Sequence, residues 1–219
     1  MTKSFQFDDP VVLIGGASID PALFGVCTGM PIIAADGGAN HLRHKNLVPA
    51  LVLGDLDSLQ DKRYWQSITR VLEIDEQDTT DFEKCLYTVE APYYVALGFS
   101  GERLDHTLAT LHVMQKYADK NVILAAEEDV VVVCSDPISF NVPVNTRVSI
   151  YPLSEVRFVS STGLKFELNG LIMEPGRFIG TSNTSSESQV TIVPEDHSGE
   201  FALLLPIDQL QSIIEVLES

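Results

Sequence analysis

Six short apolar runs alternate with amphipathic segments in the first part of the chain. The runs cover residues 11–16, 31–36, 50–54, 70–74, 93–98 and 121–126. Because each run is apolar at nearly every position, it predicts a strand buried on both faces, as in a parallel sheet covered by helices. Segments between the runs repeat apolar residues at helical spacing, including Phe82, Cys85, Leu86 and Val89, and then Leu104, Leu108 and Leu111. This alternation predicts a doubly wound, mostly parallel sheet with helices on both faces and a ligand site at the carboxyl ends of its strands.

Short alternating segments replace this pattern after Cys134, and turns containing glycine separate them. They predict antiparallel strands at residues 147–151, 157–159, 164–168, 177–179, 190–193 and 201–205. A helix is expected at residues 208–217, and the Ser/Thr-rich run at 181–188 is expected to be an exposed loop. The chain is therefore expected to contain an α/β domain at residues 1–136 and an all-β sandwich domain at residues 137–219.

The overall charge is strongly acidic, with a formal net charge of −17 from 14 Lys+Arg and 31 Asp+Glu residues. A protein that binds nucleic acid or an anionic membrane needs a basic face, so this charge argues against both kinds of partner. The same charge repels a nucleotide unless a divalent cation and a few local cations offset it. A nucleotide site in this chain must therefore be locally organised.

The cysteines, Cys27, Cys85 and Cys134, are far apart and form no CxxC pair. Their spacing predicts neither a zinc site nor a disulfide framework, and it fits a reducing compartment. No basic N-terminal region leads into an apolar segment with a small-residue cleavage site. Apolar runs such as residues 130–134 are too short to span a bilayer. These features predict a cytoplasmic protein.

Carboxylates gather beside glycines at the ends of the apolar runs. The acidic segments are Asp36-Gly37-Gly38-Ala39-Asn40, Gly54-Asp55-Leu56-Asp57-Ser58, residues 75–81 and Gly101-Glu102-Arg103-Leu104-Asp105-His106. Glycine turns let backbone amides approach an anion closely, and carboxylates beside them favour a divalent metal and a polyphosphate. The leading hypothesis is therefore an enzyme. Neither GxxxxGK[ST] nor a GxGxxG after a strand is present, so a P-loop kinase or a dinucleotide dehydrogenase is not expected.

Two of these segments carry the candidate metal ligands. Asp55 and Asp57, two residues apart in an extended segment, point to the same side and reach one cation, and Mg²⁺ favours one or two carboxylates with water and phosphate oxygens. The alternative is that Asp57 or Ser58 caps a helix. Asp81 is best placed to face the crevice, either as a third metal ligand or as the acceptor for a substrate hydroxyl. Glu76 is interpreted as solvated surface charge.

The last acidic segment contains the candidate phosphate contacts. Arg103 and His106, three residues apart, share one face of a helix and can bind a phosphate. Asp105 points elsewhere on a regular helix, so it either orients Arg103 or binds a ribose. Glu102 is interpreted as surface charge.

Taken together and in this order, the motifs resemble those of the thiamine pyrophosphokinase (thiamine diphosphokinase) family. The family pattern is D-G-G-A-N, G-D-x-D-S, D-x-D-x-T-D-F, G-G-R-x-D-H, G-L-K-W and S-N. The corresponding residues of this chain are 36–40, 54–58, 77–82, 101–106, 163–166 and 181–183. The resemblance spans most of the chain, including its all-β part.

The resemblance implies an ATP- and Mg²⁺-binding α/β catalytic domain, a β-sandwich that helps to bind thiamine, and a homodimer. It also implies transfer of the pyrophosphoryl group of ATP to the hydroxyl of thiamine, which gives thiamine diphosphate and AMP. The implied catalytic and metal-binding residues are Asp55, Asp57 and Asp81. The implied nucleotide contacts are Asp36, Gly37, Asn40, Arg103, Asp105 and His106. The implied thiamine contacts are Gln77, Asp81, Ser182 and Asn183.

Three positions depart from the family pattern. Glu102 replaces the second glycine of the phosphate turn, Phe166 replaces a tryptophan, and Gly180 stands where a serine is common. One alternative function is a diphosphokinase of the same fold that acts on a hydroxymethylpterin-like substrate, although the late motifs favour thiamine. The other is a non-catalytic protein that binds thiamine or nucleotide, which predicts the loss of at least one candidate metal ligand. All three ligands are present.

Overall fold

The apolar runs in the first part of the chain form strands, as predicted. The structure is a computed structural model that describes residues 4–218. The strands of its first unit, which ends at Glu127, are β1 (Phe5–Gln6), β2 (Val11–Ile14), β3 (Ile32–Ala35), β4 (Leu51–Gly54), β5 (Arg70–Glu73), β6 (Val89–Glu90), β7 (Tyr94–Leu97) and β8 (Val122–Ala125). Strands β2, β3, β4, β7 and β8 are buried at every position. Both faces of these strands are therefore covered, as their composition indicates.

A parallel sheet is the centre of the first unit, with the strand order β8-β7-β2-β3-β4-β5. Strand β5 lies at the end of this order and is exposed at its first and last residues, so the expectation that both of its faces are buried is wrong. The chain winds from β2 outward through β3, β4 and β5, and then continues with β7 on the other side of β2. The carboxyl ends of β2 and β7 thus mark the point where the winding reverses, which is the usual ligand crevice of such sheets.

The helices of the first unit connect these strands. They are α1 (Ala39–Arg43), α2 (Lys62–Ile68), α3 (Asp81–Thr88) and α4 (Leu104–Lys116), with 3-10 segments at Pro21–Cys27, Asp36–Gly38 and Ala118–Lys120. Asp61 caps α2 by accepting the N–H of Tyr64 at 3.3 Å, so the capping role considered for Asp57 and Ser58 is wrong. No helix among residues 4–218 is both long and apolar enough to cross a membrane.

Helix α4 is present where the spacing predicts it, but its leucines do not all face the core. Leu104 and Leu108 are 73% and 58% exposed, whereas Val113 and Met114 are each 1% exposed. The spacing identifies the helix correctly and does not identify its buried face. That face is determined by the sheet on which the helix packs, which the helix sequence does not contain.

The second unit begins at Glu128 and is a β-sandwich with one helix. Its strands are β9 (Asp129–Cys134), β10 (Ile138–Asn141), β11 (Arg147–Pro152), β12 (Val156–Thr162), β13 (Ile172–Met173), β14 (Gly180–Thr184), β15 (Gln189–Pro194) and β16 (Phe201–Pro206). One sheet has the order β10-β15-β12-β13, and β14-β11-β16-β9 lie side by side in the other. The rings of Phe158 on β12 and Phe201 on β16 are 5.3 Å apart between centroids, so the two sheets share a core. After a 3-10 segment at Ile207–Gln209, α5 (Leu210–Leu217) forms within the predicted range.

Three features of the second unit differ from the expectations drawn from the sequence. The unit begins before the expected domain boundary at residues 136/137, because β9 pairs antiparallel with β16 along its whole length. Strand β14 overlaps the segment at residues 181–188 that was expected to be an exposed loop. Its residues are polar, but its backbone pairs with β11, and Asn183 is only 6% exposed. Residues 164–168 and 177–179 contribute isolated bridges instead of the predicted strands.

Candidate active site

A cavity of about 540 Å³ lies at the carboxyl ends of β2, β3, β4 and β7, where the winding of the sheet reverses. Its walls come from the turns that follow these strands and from the first turns of α3 and α4. The lining residues used below are Gly15, Asp36, Gly37, Asn40, Asp55, Ser58, Asp81, Lys84, Glu102, Arg103 and His106. The topology therefore brings most of the predicted acidic segments to one place.

Glycines let the strand ends approach each other at this cavity. A Cβ atom on Gly15 would lie 2.4 Å from the carbonyl oxygen of Gly98, and one on Gly38 would lie 2.0 Å from the carbonyl oxygen of Ile14. Side chains are therefore excluded at both positions, and the turns after β2, β3 and β7 pack backbone against backbone. The close packing leaves backbone groups of these turns as part of the cavity wall, where an anion can approach them.

Three carboxylates come together at the cavity, and two of them, Asp36 and Asp55, line it. Asp36, Asp55 and Asp57 each place one oxygen within 4.8 Å of the others, and we refer to these three residues as the acidic group. Asp36 is 5% exposed; its Oδ2 accepts the N–H of Ser58 at 3.1 Å, while its Oδ1 is buried and has no hydrogen-bond partner among residues 4–218. Burial raises the pKa of Asp36. A buried anionic oxygen without a partner, close to two further carboxylates, fits a site for a divalent cation.

Left-handed backbone conformations create this grouping. Leu56 has a φ of 63° and Asp36 a φ of 43°, both in the region that non-glycine residues rarely adopt. The segment from Asp55 to Asp57 is therefore a turn, in which the N–H of Asp57 donates to Asp55 Oδ1 at 3.3 Å. The expectation that this segment is extended is wrong, but the two carboxylates still come together because the turn folds them toward one side. Such strained residues persist where the surrounding structure holds them.

Asp81 lies beside the acidic group, in the first turn of α3. Its Oδ1 lies 3.0 Å from the position that a Cβ of Gly54 would occupy, and the Cβ of Asp36 lies 3.0 Å from the same position. Asp81 Oδ1 also accepts from Lys84 Nζ at 3.2 Å. Burial raises the pKa of Asp81, the charge of Lys84 opposes that rise, and the charge of Asp55 adds to it. Asp81 thus projects into the crevice as predicted, and it carries an ion pair that the sequence reading did not include.

Lys84 is a buried residue of the cavity wall that the sequence alone does not single out. It lines the cavity and is only 2% exposed. The available signal was its spacing, because a lysine three residues after Asp81 on a helix shares the face of that aspartate. Lysine is common on exposed helix faces, so spacing alone did not distinguish it from a surface residue.

The segment between β5 and α3 is organised by Glu76. The Oε2 of Glu76 accepts the N–H groups of Asp78 and Thr79 at 2.9 and 3.0 Å. Its Oε1 accepts the hydroxyl of Tyr87 at 3.0 Å and that of Thr79 at a shorter distance. Interpreting Glu76 as solvated surface charge was therefore wrong. The segment also brings the Nε2 of Gln77 to 3.1 Å from Asp55 Oδ2, a hydrogen bond that lowers the pKa of Asp55.

The predicted phosphate contacts lie at the opening of the cavity. Arg103 and His106 line it, while Asp105 binds the guanidinium of Arg103 through two contacts of 3.2 and 2.6 Å. This geometry fits the role in which Asp105 orients Arg103, the first of its two predicted roles. The hydrogen bond from Arg103 holds the pKa of Asp105 low.

Glu102 connects two turns of the cavity wall. Its Oε1 accepts the N–H and the hydroxyl of Ser18 at 3.2 and 2.8 Å, so it joins the turn after β2 to the turn after β7. Glu102 has a φ of 43°, a conformation that the family's glycine adopts without strain. Glu102 is exposed, as expected for surface charge, and the structure adds its contact with Ser18.

The predicted thiamine contacts on β14 lie in the second unit. Ser182 is exposed, and its N–H donates to Ser149 Oγ at 2.9 Å. The Asn183 side chain instead binds the backbone of Phe166, accepting its N–H at 3.1 Å and donating to its carbonyl at 2.7 Å. These bonds hold a turn that leaves the Phe166 ring 64% exposed. At Gly180, a Cβ would lie 2.8 Å from Met173 Cε, so the family's serine would require the end of that flexible side chain to move.

Comparison with known proteins gives two adjoining family matches. The family described as "Thiamin pyrophosphokinase, catalytic domain" matches residues 30–125, and "Thiamin pyrophosphokinase, vitamin B1 binding domain" matches residues 125–196. Thiamin pyrophosphokinase 1 of Caenorhabditis elegans is 31% identical over 177 residues, which cover 72% of this chain and 72% of that protein. Thiamine pyrophosphokinase 1 of Oryza sativa is 26% identical over 191 residues, which cover 78% of this chain and 71% of that protein.

Solved structures share the fold. Thiamin pyrophosphokinase from Geobacillus thermodenitrificans superposes with a TM-score of 0.78 at 24% identity, covering 90% of this chain and 97% of that one. The enzyme of the same name from Candida albicans gives 0.79 at 18% identity, covering 94% and 93%. Because both structures are less than 25% identical to this chain, they show that the fold is shared. The two family matches and the nematode relative show that the chain is related to this family. The chain belongs to the thiamin pyrophosphokinase family.

Proposed function

We propose that the protein is a thiamine diphosphokinase, which transfers the pyrophosphoryl group of ATP to the hydroxyl of thiamine and gives thiamine diphosphate and AMP. The observation that carries the proposal is the cavity at the reversal point of the sheet, where the acidic group and Asp81 face glycine turns. Phosphoryl-type transfer depends mainly on alignment and on neutralisation of charge, and it needs no covalent nucleophile from the protein. The side chains that line the cavity match those requirements.

Mg²⁺ is the cofactor of this proposal, and ATP is the co-substrate. Asp55, Asp57 and Asp81 are the residues proposed from the sequence to hold the metal. The buried, unpartnered Oδ1 of Asp36 supports adding this residue to the set, because it lies within 4.8 Å of the other acidic-group oxygens. When bound, Mg²⁺ neutralises charge on the polyphosphate oxygens.

Other residues of the cavity have proposed roles in binding the nucleotide and in the transfer step. The turns after β2 and β3, with Gly37 and Asn40, bind the nucleotide, and Arg103 and His106 bind its phosphates at the cavity opening. The thiamine hydroxyl oxygen forms a bond to the β-phosphorus, while the bond from that phosphorus to the bridging oxygen of AMP breaks. Asp81 accepts the hydroxyl proton, and the bond electrons leave with AMP. The burial that raises the pKa of Asp81 supports this choice of base.

The thiamine side of the site is proposed from the family pattern. Gln77, Ser182 and Asn183 are the proposed contacts, and Ser182 has the exposed side chain of the two on β14. Cytoplasmic location and a homodimer belong to the same proposal. The three buried free thiols support a reducing compartment, and light scattering of the purified chain tests the dimer.

The reaction is tested by incubating the protein with Mg-ATP and either thiamine or a hydroxymethylpterin, followed by chromatography of the products. The proposal predicts AMP and thiamine diphosphate with the first substrate and no turnover with the second. Turnover of the pterin alone, or ADP as the nucleotide product, would refute it. The matched inactive control is Asp57→Asn, because Asp57 is exposed and its replacement leaves the core unchanged.

A further inference from the structure

A buried lysine forms part of the wall of an acidic cavity. Lys84 is 2% exposed, and its Nζ lies 3.2 Å from Asp81 Oδ1. Removing an ammonium group from water costs several kcal/mol in effective terms, so lysine is rarely buried unless a partner offsets the cost. Other lysines in ion pairs of the same unit are more exposed: Lys120 with Glu90 is 13% exposed, and Lys116 with Glu83 is 53% exposed.

The ammonium group of Lys84 interacts with carboxylates of the cavity. Its neighbours on α3, including Phe82, Cys85 and Leu86, are buried and apolar, and they offer no other site for the ammonium group. Lys84 and Asp55 line the same cavity, and the charge of Lys84 opposes the burial that raises the pKa of Asp81 and contributes to the lowered pKa of Asp55. The cavity wall therefore holds the buried Lys84 together with three aspartates, Asp36, Asp55 and Asp81.

We propose that Lys84 is a positioning residue, whose ammonium group fixes the Asp81 carboxylate at the cavity wall and offsets the charge of the acidic group before a metal ion binds. Lys84 then has two measurable effects. It lowers the affinity of the free protein for a divalent cation, and it aligns Asp81 for the transfer step. The second effect rests on the proposed function, whereas the first does not.

The variant that separates these effects is Lys84→Met, which keeps the length and apolar stem of the side chain and removes the charge. Without the ammonium group, Asp81 and the acidic group attract a cation more strongly. We expect Mn²⁺ alone, titrated without nucleotide and followed by electron paramagnetic resonance, to bind about tenfold more tightly to the variant. We also expect kcat to fall about 100-fold, with the KM for thiamine within about threefold of its original value.

The matched control is Lys120→Met. Lys120 is a mostly buried lysine with a carboxylate partner, and it does not line the cavity. Its replacement removes an ion pair of the same kind, so any change that comes merely from loss of a buried pair appears here too. Mn²⁺ affinity and kcat should both stay unchanged in this control.

A second pair of variants keeps the test valid if Lys84→Met folds poorly. Asp81→Asn is compared with Asp81→Asn/Lys84→Met, in which no buried charge lacks a partner, so the double variant should fold. Loss of the Lys84 charge should tighten Mn²⁺ binding of the double variant relative to Asp81→Asn alone. Equal Mn²⁺ affinities within either pair, or a fall in kcat no larger than the loss of folded protein, would overturn the proposal. If the unmodified protein makes no thiamine diphosphate, the proposed function fails while the Mn²⁺ measurement still decides the role of Lys84.

Discussion

Replacing Asp36 with asparagine should stabilise the metal-free protein, although the position is buried. Asp36 is 5% exposed, its Oδ1 has no hydrogen-bond partner within residues 4–218, and one of its oxygens lies within 4.8 Å of oxygens of the other two carboxylates of the acidic group. Asparagine keeps the shape and an oxygen to accept the N–H of Ser58, and it removes a buried charge. We expect a gain of about 1–2 kcal/mol in the free energy of unfolding at neutral pH, because a buried polar atom without a hydrogen-bond partner typically costs about that much.

The same substitution should weaken the response to metal. With Mg²⁺ at 100 times its dissociation constant, the original protein gains about 2.7 kcal/mol, and a variant that binds tenfold more weakly gains about 1.4 kcal/mol at that concentration. Urea unfolding with and without Mg²⁺ measures the stabilisation by Mg²⁺ in the original protein and in the variant. The chain contains one tryptophan, Trp65, which is 1% exposed, so its fluorescence follows unfolding of the first unit. A less stable metal-free variant, or an unchanged Mg²⁺ response, would refute the reasoning.

The stability that Asp36→Asn adds to the metal-free protein should depend on pH. Burial raises the pKa of Asp36 above its ordinary value of 3.8, so the folded state binds the proton more tightly than the unfolded state. The stability contributed by that proton is complete below pH 3.8 and is lost as the pH rises through the folded-state pKa. The advantage of Asp36→Asn should therefore be present at neutral pH and disappear toward pH 3.8. Asp57→Asn, at an exposed position, is the control: it should weaken the Mg²⁺ response with little gain in the metal-free state.

Three further substitutions test the local structure by urea or thermal unfolding. Gly38→Ala should cost more than about 3 kcal/mol, because its Cβ would lie 2.0 Å from the carbonyl oxygen of Ile14, while Gly25→Ala, with nothing within 4 Å, should be nearly neutral. Equal effects of the two would contradict the close packing. Glu102→Gly should be about 1 kcal/mol more stable than Glu102→Ala. Both variants lose the contacts to Ser18, and only glycine adopts the left-handed backbone conformation at this position without strain. A more stable alanine variant would contradict that conformation. Asn183→Ala should cost about 1–2 kcal/mol, because it removes two partly buried hydrogen bonds to the backbone of Phe166, and a cost below about 0.5 kcal/mol would contradict this.

Much of the first unit could be predicted because its strands carry a strong signal. Runs such as Val11–Ile14 and Val122–Ala125 are apolar throughout, and only a strand covered on both faces accommodates such a run. The βαβ rhythm then places the strand ends, and with them the acidic segments, at one edge. Strand β14 lacked this signal, because Gly180–Thr184 is polar and its strand exists through backbone pairing with β11.

The detailed geometry of the site could not be predicted from the sequence, because it depends on contacts between residues that are distant in the chain. The left-handed backbone at Leu56, the contacts of Glu76 and the ion pair of Lys84 each depend on what surrounds the residue in space. A glutamate in an acidic run is most often solvated, and a lysine on a helix is most often exposed. The residues that departed from these tendencies are the ones that shape the cavity.

The phosphorus products of a single reaction test the central claim most directly. The protein is incubated with thiamine and Mg-ATP, and the mixture is followed by ³¹P NMR. The account predicts that AMP and thiamine diphosphate appear in equal amounts and that no ADP forms, because the hydroxyl attacks the β-phosphorus. Formation of ADP with thiamine monophosphate would place the attack on the γ-phosphorus and contradict the account.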